Sequence, residues 1–212
     1  MDWATFVLIL VGGYVALKLI GFAENRGRIK FLGLMGLTIA AVLFFIMQTT
    51  VFVSSFVDSA SVASISDLIF EWGHITCLAF VLSSLAVFIR ESKPVFAQFP
   101  MLYTALPLLI VLSYFLVKDT YALKNWLITI YQGGAITVAL LMYSVYTYRR
   151  KQYALILTGV IILLFSHVLY WYVPDIQASY GWSWQLLMAA GMTTVVLGYE
   201  KAEKAVITAQ EN

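Results

Sequence analysis

Seven apolar runs, each near the length of a membrane span and separated by short polar connections, constrain this chain more than any other feature. They cover residues 3–22, 31–57, 67–90, 101–117, 125–148, 153–173 and 182–199. A helix needs ~20 apolar residues to cross a hydrocarbon core. Within that core every backbone amide and carbonyl must be paired internally. The expected fold is therefore all-α: a polytopic integral membrane protein in which residues 1–212 form one bundle of seven transmembrane helices. Composition agrees, because 62% of the residues are hydrophobic and only 11% charged, against about 25% charged in soluble domains.

Several boundaries carry their own signals. The first run follows Asp2 and has neither a basic leader nor a small-residue cleavage pattern, so it reads as a retained span. The second must tilt or project beyond the lipid, because 27 residues exceed the core thickness. The segment from Asp58 to Ser66 is rich in Ser and Ala and reads as a connection. Pro94 and Pro100 bracket the next loop, Pro107 predicts a kink inside the fourth run, and Pro174-Asp175 stops the sixth.

Lys and Arg give the orientation, since cytoplasmic connections are enriched in them. Arg26, Arg28, Lys30, Arg90, Lys93, Arg149, Arg150, Lys151, Lys201 and Lys204 fall on one side, and only Lys118 and Lys124 on the other. Lys18 lies near the inner end of the first span, where it can snorkel. Ten against two places the N-terminus outside and the C-terminus inside. A net charge of +2 gives no reason to expect a nucleic-acid partner, since that reading needs a clustered basic face. The partners expected are the lipid bilayer and partner subunits within the membrane. Cys77 is the single cysteine, so an intrachain disulfide and multi-cysteine metal sites are excluded.

Against this apolar background one stretch stands out, Asp67-Leu68-Ile69-Phe70-Glu71-Trp72-Gly73-His74. On a helix Asp67, Glu71 and His74 fall at i, i+4 and i+7, within roughly 60° of one face. Ionisable groups inside a membrane are costly and therefore point to function. With the orientation above, His74 and His167, the only two histidines, are both expected roughly 10 Å below the outer surface. Gln48, Gln132 and Gln185 fall in the same half, with Trp171 and Trp184 at its rim. Together these residues predict an outward-facing polar pocket.

Three kinds of function fit that pocket. Glu71 and His74 form Glu-x-x-His, the i, i+3 device that helical bundles use for metals. With His167, and Asp67 or water, they make a ligand set for a divalent zinc, copper or iron ion. Alternatively His74 and His167 are the axial pair of a b-type haem in a redox or sensing protein. A second class needs no metal: carboxylate and imidazole are also proton-relay groups, suited to a proton, small-molecule or quinone-type ligand of a transporter or receptor. The third is an accessory subunit whose polar groups only join helices, as interhelical hydrogen bonds do. Asp67 after Ser66 also suits a helix N-cap, the rim aromatics an interfacial belt, and Cys77 a small buried hydrophobe. Microbial rhodopsins share the span number and orientation, but residues 182–199 contain no lysine for a retinal Schiff base.

Overall fold

In the computed structural model the backbone is described for residues 3–24, 28–57, 59–92, 100–117, 121–173 and 180–211. Asp58, Pro94, Lys118, the Pro174-Asp175 stop, and Arg26 and Lys93 of the charge asymmetry lie outside the described residues. Among those described there are seven α-helices: α1 Trp3–Glu24, α2 Arg28–Ser54, α3 Ala60–Ser92, α4 Pro100–Val117, α5 Tyr121–Arg149, α6 Ala154–Tyr172 and α7 Trp182–Glu211. One 3-10 turn, Lys151–Tyr153, precedes α6.

Five of these segments are long and apolar enough to cross a bilayer: Trp3–Ala23, Gly33–Ser54, Ala60–Ile89, Leu123–Arg149 and Lys151–Tyr172. That is the form of a multi-pass membrane protein. In α4, Pro107 lies inside an 18-residue helix that continues on both sides. In α7 the apolar character begins only after Trp182-Ser183-Trp184-Gln185. Large apolar side chains point outward from most helices, among them Leu10, Leu17, Ile46, Leu108, Leu116, Leu141 and Phe165. A surface so apolar suits lipid rather than water.

Among the boundaries that differ from the sequence expectation, three have a local cause. Helix α3 starts at Ala60, seven residues before Asp67, because the Ser- and Ala-rich segment contains no Pro or Gly to interrupt it, and the Ala63 N–H already bonds to the Ser59 carbonyl at 3.0 Å. Asp67 is thus inside the helix, not its cap. Helix α2 ends at Ser54, where the hydroxyls of Ser54 and Ser55 take the carbonyls of Val51 and Phe52 and compete with the helical ladder. Helix α7 runs through the mixed-charge tail to Glu211, aided by the Lys204–Glu200 pair one turn apart.

The chain divides into two compact units, residues 12–135 and residues 1–11 with 136–212. In the first, α2 and α3 form an antiparallel pair whose contacts keep register. Gly33 faces Phe88, Gly36 faces Ser84, Ala40 accepts from the Cys77 thiol at 3.3 Å, and Met47 lies against Gly73. Glycines are needed here: a Cβ on Gly33 would meet the Phe88 ring at 2.7 Å. In the second, α6 and α7 pair the same way. Gly198 faces Ile156, Gly191 faces Leu163, and a Cβ on Gly159 would lie 2.7 Å from the Val195 backbone nitrogen. Small residues at such positions let membrane helices approach until their backbones touch.

Candidate functional site

Polar side chains inside these helices mostly pair locally. The hydroxyls of Thr38, Thr49, Thr76, Thr129 and Thr193 all return to the carbonyl four residues back, which satisfies them without a neighbouring helix. Glu71 behaves differently. In the first unit its carboxylate accepts a hydrogen bond from the Tyr114 hydroxyl at 2.8 Å and pairs with the Lys124 ammonium. Three helices, α3, α4 and α5, thus contribute one group each to one cluster.

Local geometry explains the meeting. Tyr114 sits in the last turn of α4 and Lys124 in the first turn of α5, either side of a short connection. Both therefore lie at the same end of their antiparallel helices. Tyr131 reaches Ser113 from two turns deeper, hydroxyl to hydroxyl at 2.6 Å, because side chains on a helix lean toward its N-terminus. Tyr114 is fully buried, and its ring is packed edge-on by Trp72 at 5.5 Å and faced by the Lys124 ammonium at 5.6 Å. The pair itself is not sealed: the side chains of Lys124 and Glu71 remain 20% and 29% exposed. Glu71 is accordingly level with the first turn of α5.

The other expected site residues in this unit are His74, Asp67, Gln48 and Gln132. His74 is partly buried, with the Phe70 ring on its own helix at 6.0 Å. Asp67 is exposed and Gln48 buried. Gln132 is partly buried on α5.

In the second unit the end formed by the start of α1, the end of α6 and the start of α7 gathers the remaining expected residues. Trp3 lies 6.1 Å from Trp182, Gln185 shares a hydrogen bond with Thr5, and Tyr170 is stacked edge-on between Trp171 at 4.9 Å and Trp184 at 4.8 Å. Ser166 donates to the Trp184 carbonyl at 2.8 Å. His167 follows it, 5% exposed, with Nδ1 lacking a hydrogen-bond partner among the described residues. Its ring touches Tyr172 edge-on at 6.2 Å. The expected pocket residues Trp171, Trp184 and Gln185 are thus neighbours of His167 by helix register, although the rings pack on one another.

Neither unit assembles, from its own described residues, three or more His, Cys, Asp or Glu side chains that could hold a metal. The two residues that sequence reasoning passed over are Tyr114 and Lys124. A buried tyrosine requires a partner for its hydroxyl, and a tyrosine within an apolar run is the signal that the sequence offered for Tyr114. Lys124 reads as a loop residue only because α5 starts four residues before its apolar run. No family model, curated protein or solved structure matches the chain.

Proposed function

We propose that this is a seven-span membrane protein, N-terminus outside and C-terminus inside, of the transporter or receptor class. The Glu71–Tyr114–Lys124 cluster is its outward-facing site for a proton or a small polar ligand. The observation that supports this reading is the joining of opposite charges from separate apolar helices through a buried phenol. Such groups are expensive near hydrocarbon and mark substrate or proton pathways. Their partial exposure leaves both open to competition: a proton or ligand that takes Glu71 or Lys124 releases the other and loosens three helices at once. Trp72 reports on this directly, since it packs on Tyr114. Acid titration of the purified protein should shift tryptophan emission through a transition absent from Glu71→Gln and removed by Trp72→Phe. A transition that survives Glu71→Gln, or no transition, would sink the reading.

A metal or haem remains a second proposal, and one observation favours it. A ligating histidine needs a nitrogen lone pair free of other duties, and His167 is buried with such a nitrogen. Elemental analysis and an absorption spectrum of the purified protein decide it. A bound metal or a Soret band that disappears in His167→Gln supports the proposal, and neither signal in the parent protein ends it.

A further inference from the structure

In the second unit, the end where α5 gives way to α6 carries groups that the Glu71 cluster does not use. Arg150 leaves the helix in an extended conformation, φ −145° and ψ 110°, and Arg149, Arg150 and Lys151 are all exposed. Lys201 and Lys204 are exposed on α7 just beyond Tyr199, Lys204 being paired with Glu200. Beneath the cations lies a belt of phenols. Tyr146 packs 5.9 Å from Tyr143 and 5.6 Å from Tyr153. The Tyr143 and Tyr199 hydroxyls bond to each other. Aromatic belts of this kind mark the headgroup level of a bilayer.

Two buried polar atoms in the same short segment are unspent. Thr147 Oγ1 and Gln152 Nε2 have no hydrogen-bond partner among the described residues. Several other described threonines, Thr158 among them, return instead to the carbonyl four residues back. A buried donor without an acceptor is costly. Three cations and two unspent groups within six residues therefore call for a negatively charged partner with several acceptor oxygens, held at headgroup depth. We propose that the segment from Thr147 to Gln152 binds the phosphodiester headgroup of an anionic phospholipid, a reading that rests on α5 and α6 crossing the membrane.

The test uses the full chain in phosphatidylcholine nanodiscs, with spin-labelled phosphatidylglycerol and phosphatidylcholine as probes. The parent protein should hold phosphatidylglycerol preferentially, less so at high salt. Each cation removed in Arg149→Gln, Arg150→Gln and Lys151→Gln should cut that preference about fivefold. Gln152→Leu with Thr147→Val, which changes no charge, should weaken it further. The melting temperature in pure phosphatidylcholine shows which variants are folded, and the single variants serve if the triple is not. No preference in the parent, or one that survives neutralisation, overturns the proposal. Preference unaffected by Gln152→Leu with Thr147→Val means diffuse attraction, not a site, and also overturns it. Displacement of the lipid by inorganic phosphate would assign the site to a free anion and not to a lipid.

Discussion

Glu71 is held by Tyr114 and by Lys124, and losing each should cost differently. Lys124→Met strips the counter-charge from a carboxylate that is mostly withdrawn from water. Breaking a fully buried pair costs roughly 3–5 kcal/mol and an exposed one under ~1, so about 1–3 kcal/mol is expected at this partly exposed site. Glu71→Gln with Lys124→Met removes both charges and should recover most of the loss. Tyr114→Phe deletes only a hydrogen bond between helices, worth about 0.6 kcal/mol and at most ~1.7. Unfolding in mixed micelles measures all of these, and additive losses in the double variant would show that the charges do not cooperate. At this scale the sequence was partly legible. The stripe Asp67, Glu71, His74 follows from helical period alone. Tyr114 and Lys124 do not, because they are distant in sequence and meet Glu71 only through packing of α3, α4 and α5.

The helices themselves were legible wherever an apolar run of span length exists, since lipid leaves the backbone no alternative. Their ends were not. The start of α3 at Ala60 and the extension of α7 to Glu211 lie in polar sequence, where hydropathy is silent and helix propensity decides. The glycines divide in a way that composition cannot show. Gly159 is pressed against the Val195 backbone, whereas a Cβ added at Gly21 or Gly134 would meet nothing within 4 Å. Gly159→Ala should therefore destabilise by about 1–3 kcal/mol, as overpacking does. Gly134→Ala should be neutral or stabilise by up to ~1 kcal/mol, the gain of alanine over glycine in a helix. Equal thermal shifts for the two variants would mean that α6 and α7 are not in close backbone contact.

For the whole molecule, the proposed function requires that all seven helices cross the membrane, including the 18-residue α4 and the diluted start of α7. Seven crossings put the start of α5, with Lys124, on the face opposite the tail. With an even number of crossings the two ends of the chain share a side, and the charge asymmetry loses its meaning. The deciding measurement is labelling of intact cells by a membrane-impermeant maleimide, with Cys77 replaced by alanine and single cysteines at Tyr121, Ala178, Arg150 and Lys204. Positions 121 and 178 should react from outside, and positions 150 and 204 only after permeabilisation. Reaction of positions 121 and 204 from the same side would contradict the seven-span, outward-facing account.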